Sequence, residues 1–201
     1  MFVKATCSLT DKNAVLLTFD DGPHPTFTPR LLELLRKNGI KAMFFCIGHK
    51  VESFPEITKM IENEGHTIGN HTFTHTPKYT FWGRRRILDE IRKCHERLSD
   101  VGIDALFFRP PLGITNGDIA WACKQLNYKV IGWSLRSFDT QHATREVVFR
   151  RVARKLRGGD IILLHDRLEG VEWLVNEIIT EVRRRGMRFA SPDELKIDIS
   201  K

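Results

Sequence analysis

The sequence predicts an α/β fold, a distorted (β/α) barrel with about seven parallel strands. Three observations carry this. Short apolar runs alternate with amphipathic stretches of helical period along the whole chain. Acids, imidazoles and a guanidinium follow five of the apolar runs, the arrangement expected on the C-terminal rim of a parallel sheet. The chain has 201 residues, short of the ~250 usual for eight β/α units, so a barrel lacking one unit fits better. An open doubly wound sheet is the alternative.

The elements follow in order. Ala14 to Phe19 is an apolar run ended by Asp20-Asp21-Gly22-Pro23, whose composition demands a turn or loop. Thr28-Pro29 offers an N-cap with proline at the first helical position, and the helix runs to about Asn38-Gly39. Met43 to Ile47 is the next strand, and Val51 to Glu64 a helix stopped by Gly65. Thr67 to Gly69 is a short strand. Arg85 to Leu98 is a helix on the spacing of Ile87, Ile91, Cys94 and Leu98. Leu106 to Phe108 is a strand, Asp118 to Leu126 a helix, and Lys129 to Trp133 a strand. Thr144 to Leu156 is a helix closed by Gly158-Gly159, then Asp160 to Leu164 a buried strand. Val171 to Arg185 is a helix and Met187 to Ala190 the last strand. No linker-like or low-complexity segment divides the chain, so residues 1–201 are expected to form one domain.

Composition narrows the function classes. Hydrophobic residues make up 41% and charged residues 28%, as in ordinary soluble domains. No apolar run reaches the ~18 residues of a membrane span, and Met1 to Lys12 lacks the apolar stretch of a secretory leader, which points to the cytoplasm. Cys7, Cys46, Cys94 and Cys123 are far apart and read as reduced structural thiols. The net charge of +7 invites an anionic polymer or nucleic acid as partner. Part of that charge sits in Arg84 to Arg86 and Arg183 to Arg185, each at a helix end, where solvated cations are the better reading.

The chemistry lies in the residues after the runs. One carboxylate and two imidazoles make a facial set with positions open for water and substrate. His71 and His75, beside Gly69, Asn70 and Pro77, are presented by a loop, and Asp20-Asp21 supplies the carboxylate. Of two adjacent carboxylates, one can bind a metal while the other takes a proton from activated water; spacing alone does not say which. Arg109 can hold the base carboxylate ionised. His165 can protonate a leaving group, with Asp139 fixing its tautomer and raising its basicity. Trp133 can stack on a sugar, although such an aromatic is more often core. Histidines 24, 49, 66, 95 and 142 lack comparable partners and read mostly as structural.

These residues fall into motifs that resemble the polysaccharide deacetylases with the NodB-homology domain, carbohydrate esterase family 4. The motifs run from Thr18 to Asp166. Thr18-Phe19-Asp20-Asp21-Gly22-Pro23, His71-Thr72-Phe73-Thr74-His75 and Leu163-Leu164-His165-Asp166 are intact. Arg109-Pro110-Pro111-Leu112-Gly113 matches, with Leu112 where an aromatic residue is common. Arg136-Ser137-Phe138-Asp139-Thr140 stands where the family often shows Asp-Ser-x-Asp-Trp: arginine replaces the first aspartate and threonine the tryptophan. The resemblance implies a NodB-like barrel, Asp20 as base, and Asp21, His71 and His75 as ligands of a divalent metal, zinc before others. It further implies Arg109 as partner of Asp20, His165 as acid paired with Asp139, and the Leu112 N–H as oxyanion donor, with Pro111 and Trp133 at the substrate. The implied function is removal of N-acetyl groups from an acetylated oligo- or polysaccharide, with no nucleic-acid or membrane partner. An O-acetyl esterase, a hydrolase of small amides and a catalytically silent sugar-binding module are the rivals.

Overall fold

The computed structural model describes residues 7–141 and 143–197. The longest strand is β2 (Ala14–Gly22), and all of its residues are buried. That fits a strand covered on both faces in a parallel sheet. The others are β3 (Met43–Cys46), β4 (Thr67–Asn70), β5 (Phe107–Phe108), β6 (Lys129–Val130), β7 (Leu135–Arg136), β8 (Ile161–His165) and β9 (Arg188–Phe189). They are linked by α1 (Phe27–Lys37), α2 (Gly48–Ser53), α3 (Pro55–Asn63), α4 (Arg84–Asp100), α5 (Gly117–Gln125), α6 (Arg145–Lys155) and α7 (Val171–Arg184).

The strand order is β6-β5-β4-β3-β2-β8-β7, with β9 also on β2, and every pairing among these strands is parallel. β2 therefore pairs with its successor β3 and with β8 near the end of the chain. That is sequence order curled back on itself, the order of a barrel and not of a doubly wound sheet. The barrel is open at one seam: among the described residues no ladder joins β6 to β7.

Alternation along β2 divides the apolar residues. Val15, Leu17 and Phe19 face the helices with Leu31, Leu35, Phe44 and Ile91. Ala14 and Leu16 face the interior with Met43, Phe45, Ile131 and Ile161. One end of this interior is covered by an antiparallel ribbon of β1 (Cys7–Leu9) and β10 (Leu195–Ile197). Those two strands are too short for a periodic signal and were not predicted. Because Met43 and Ile161 begin their strands, the ribbon covers the N-terminal end and leaves the C-terminal end for the site.

Three predicted elements are corrected. Helix 51–64 is two helices, because Pro55 bars the helical conformation at Phe54, whose φ is −135° and ψ 57°. The first helix begins at Phe27, and its first N–H groups, those of Thr26 and Phe27, are accepted by His24 Nδ1 at 3.2 Å. Thr28 caps nothing there: its hydroxyl donates to Asp166 Oδ2 at 2.6 Å and accepts the His24 N–H at 2.8 Å. Strand 129–133 stops at Val130, since the carbonyls of Ile131 and Gly132 accept from the Arg109 guanidinium at 3.1 and 2.8 Å. The four cysteines are buried and free. No helix among the described residues is long and apolar enough to cross a membrane.

Candidate active site

The cleft at the C-terminal end of the barrel has a volume of about 130 Å³ and is lined by both adjacent aspartates, both loop histidines, His165 and Trp133. Asp20 ends the regular part of β2 on the interior face, two residues beyond Thr18. Arg109, fully buried after β5, donates to Asp20 Oδ1 at 2.7 Å and to Thr18 Oγ1 at 2.8 Å. Its plane lies 4.1 Å from the Phe45 ring centroid. With the two carbonyls at the seam, this guanidinium has a partner on every nitrogen. It therefore fixes one oxygen of Asp20 and leaves the other open to the cleft.

Asp21 turns away from its neighbour because its φ is +71°. That left-handed backbone, uncommon outside glycine, sends two adjacent carboxylates to different places. Asp21 Oδ1 lies 3.5 Å from His71 Nε2 and 3.3 Å from His75 Nε2. Its other oxygen accepts from Arg167 Nε at 2.8 Å. Burial alone would raise the Asp21 carboxyl; the imidazoles of His71, His75 and His165 outweigh it and hold the group well below the usual carboxylate range.

The two imidazoles come from a loop after β4 tied down at several points. The Asn70 side chain accepts the Thr72 N–H at 2.9 Å and donates to Ile91 O at 2.8 Å, while Glu90 accepts both N–H and hydroxyl of Thr74. Thr72 and His75 both take positive φ, 67° and 51°. His71 Nδ1 is 2.6 Å from the carbonyl of Arg109. A carbonyl only accepts, so Nδ1 carries a proton, and the other ring nitrogen, Nε2, faces Asp21. Burial, with help from His71, lowers His75 to about 4 against the pull of the aspartates, so that ring is neutral.

These three residues can hold a metal ion. Their nearest donor atoms all lie within 4.8 Å of one another. Asp21 Oδ1 is buried and has no hydrogen-bond partner. A buried acceptor that finds no hydrogen bond beside two imidazole nitrogens is costly unless a cation joins them, which is the chemistry of an oxygen–nitrogen site for a divalent metal.

Across the cleft, His165 ends β8. Its Nδ1 meets Asp139 Oδ1 at 2.7 Å, and its backbone N–H donates to Asp139 Oδ2 at 2.9 Å. Burial depresses the imidazole, but the hydrogen bond and charge of Asp139, then Asp20 and Asp21, leave it raised above its ordinary value. Nε2 points back towards Asp21, 4.0 Å from Oδ2.

Leu112 stands at the rim, 42% exposed, with φ +58°. Trp133 also lines the cleft, its ring packed against Gly113 beside Leu112. Pro111 is buried and does not line the cleft. Gly113 keeps that rim closed: a Cβ there would lie 2.1 Å from Trp133 Cη2, and its φ is +68°. His142 lies outside the described residues.

Sequence reasoning gave no role to three groups. Arg167 grips Asp21, and Lys50 Nζ donates to the Asp21 carbonyl at 2.6 Å. Asp166 lies under Gly22, where burial foremost raises it to about 6. Asp166 was visible beside His165 in its motif; nothing periodic marked Arg167 or Lys50.

A parallel barrel with a carboxylate–bis-imidazole cluster between an arginine-held aspartate and an aspartate-held histidine defines a hydrolase that works by metal binding and acid–base catalysis. The chain belongs to the polysaccharide deacetylase family, whose model matches residues 8–131. It is 35% identical over 187 residues to a peptidoglycan-N-acetylglucosamine deacetylase of Bacillus cereus, covering 90% of this chain and 67% of that one. It is 32% identical over 158 residues to a chitooligosaccharide deacetylase of Azorhizobium caulinodans, covering 78% and 75%. A crystal structure of a peptidoglycan N-acetylglucosamine deacetylase superposes with a TM-score of 0.84 at 33% identity, covering 94% of this chain and 92% of that chain. The chain is a deacetylase-type hydrolase of this family.

Proposed function

We propose that the chain removes N-acetyl groups from N-acetylglucosamine-type residues of an oligo- or polysaccharide, with zinc held by Asp21, His71 and His75. The reading rests above all on one observation: the unpartnered Asp21 Oδ1 and two imidazoles lie between two separate proton-handling pairs. A divalent cation bound there supplies Lewis acidity, polarising an acyl oxygen and making water acidic near neutral pH.

The chain's own groups do the rest. Asp20, held in place by Arg109, accepts the proton of the attacking water through the carboxylate oxygen that Arg109 leaves free. The Leu112 N–H donates to the carbonyl oxygen as charge builds on it. His165, its Nδ1–H held by Asp139, delivers a proton from Nε2 to the departing amine. The amide bond breaks, acetate leaves, and the sugar keeps a free amine. Trp133 and Leu112 flank the ring.

Mass spectrometry of N-acetylglucosamine oligomers incubated with zinc-loaded protein tests this, with Asp20→Asn alongside. Loss of acetyl groups with wild type alone is expected. Intact oligomers, with release of acetate from O-acetylated glycans instead, would replace the N-deacetylase by an esterase.

A further inference from the structure

We propose that a recess at the N-terminal ends of β4 and β5, away from the cleft, binds an amino sugar, a ring carrying a primary ammonium beside hydroxyl groups. The site stands on its own geometry; the choice of ligand rests on the N-deacetylase reading, whose product has that chemistry. The recess has a volume of about 220 Å³ and lies between the end of α3, the start of β4 and the segment leading into β5. Glu62, His66, Ile103, Asp104, Leu106 and Phe107 line it. Among the described residues β4 and β5 pair at one position, Asn70 with Phe108, so the two strands part towards their N-terminal ends.

His66 is the group that needs a ligand. It is 6% exposed, and its Nδ1 accepts the Ala42 N–H at 3.1 Å. Nδ1 therefore has no proton, and Nε2 carries the one that a neutral imidazole keeps. Nδ1 faces the start of β3, so Nε2 points to the other side of β4, where β5 and the recess lie. That N–H is buried and has no acceptor. An orphaned buried donor is costly, and an oxygen seated in the recess would relieve it.

The mouth is acidic. Glu62 and Asp104 are exposed, and among the described residues neither carboxylate has an ion pair or a hydrogen bond. Glu62 lies in the last turn of α3, which holds no basic residue, so side chain and helix dipole are negative at the same place. Lys41 acts on His66, but it donates to the Glu64 carbonyl and does not line the recess. The mouth therefore draws a cation. A metal ion is the poorer occupant. Protonated Nε2 offers it no lone pair, and among the described residues only Asp21, His71 and His75 bring three donor atoms within 4.8 Å. An ammonium with a hydroxyl on the adjacent carbon meets both demands, charge at the mouth and oxygen at His66. Ile103, Leu106 and Phe107 give the C–H face of a sugar ring an apolar wall. The volume lies below the ~300 Å³ at which pockets for larger ligands begin, which suits one ring.

The test titrates isotope-labelled, zinc-loaded protein with glucosamine and follows the imidazole N–H of His66 and the amides of Ile103 and Leu106 by NMR. Saturable shifts there are expected, with a Kd on the order of millimolar. Glucose lacks the ammonium and N-acetylglucosamine carries an uncharged nitrogen, so both should bind at the recess roughly tenfold more weakly. The double variant Glu62→Gln with Asp104→Asn, at the surface and outside the catalytic machinery, should raise Kd about threefold to tenfold. It should leave deacetylation of chito-oligomers unchanged. Equal shifts with glucose, shifts confined to the Trp133 indole in the cleft, or a Kd unchanged in the double variant would overturn the proposal while chito-oligomer deacetylation stands. Displacement of glucosamine from His66 by excess Zn²⁺ would also overturn it, by making the recess a metal site. Glucosamine bound at His66 in a protein that deacetylates no oligomer would keep the site and overturn the N-deacetylase reading instead.

Discussion

The two walls of the cleft are built differently. The wall of β2, β3, β4 and β8 is held by parallel ladders, four and five residue pairs long on either side of β2, with one register shift between Asp20 and Gly22. It carries both aspartates, and the loop after it carries both candidate metal-binding imidazoles. The wall of β6 and β7 has strands of two residues with no ladder between them, and there a side chain, Arg109, takes the carbonyls that a ladder would have used. The intact motifs of Asp20, His71 and His165 sit on the laddered wall, whereas the altered motif of Arg136 and Thr140 sits on the seam. A ladder fixes atoms to a few tenths of an ångström and suits chemistry. A seam fixed by side chains can change residues without unpairing a sheet, which suits choice of substrate.

The largest expected effect falls on the laddered wall. Asp20→Asn should lower turnover on the order of 10⁴-fold, the upper end for a general base, with metal content by elemental analysis still one per chain. Loss of the metal in that variant would make Asp20 a ligand. Next is the group that joins the walls. Arg109→Leu should cost ~3–5 kcal/mol in urea unfolding, because it leaves Asp20 buried without its counter-charge. A loss below ~1 kcal/mol would show that the seam closes without it.

A third test concerns the other end of the laddered wall. His66, 6% exposed, accepts the Ala42 N–H through Nδ1 at 3.1 Å and is lowered from 6.5 to about 4, by burial first and then Lys41. The unfolded chain therefore binds a proton in the window between those values that the folded chain refuses. The contribution is complete above pH 6.5 and is lost as the pH falls through about 4, worth on the order of 3 kcal/mol. His66→Gln should flatten the dependence of the urea midpoint on pH over that window; an unchanged slope would assign it to other groups. Smaller still, Gly113→Ala should cost roughly 1–3 kcal/mol from its left-handed backbone and should raise KM by displacing Trp133. A KM equal to wild type would detach Trp133 from substrate. Arg184→Ala, at an exposed pair with Glu181, should change stability by no more than ~1 kcal/mol and serves as the control.

Most of the laddered wall was legible in the sequence, and most of the seam was not. Ala14 to Phe19, the helix face of Ile87, Ile91, Cys94 and Leu98, and the charged residues after each strand all follow periodicities a single sequence displays. The break at Pro55 is likewise legible, since a proline restricts the residue before it. The early end of β6 was not, because its cause is a side chain 22 residues away in sequence.

The sequence by itself determined the β/α alternation, the parallel rim, and the identity of the acids, imidazoles and guanidinium on it, because each is a pattern among near neighbours. Only the tertiary structure decided the rest. It closed the sheet onto β8, left the seam between β6 and β7, turned Asp21 away from Asp20, and set Arg167 on Asp21 across 146 residues of chain. Contacts between residues so distant depend on how helices pack around the whole sheet, and no local periodicity carries that information.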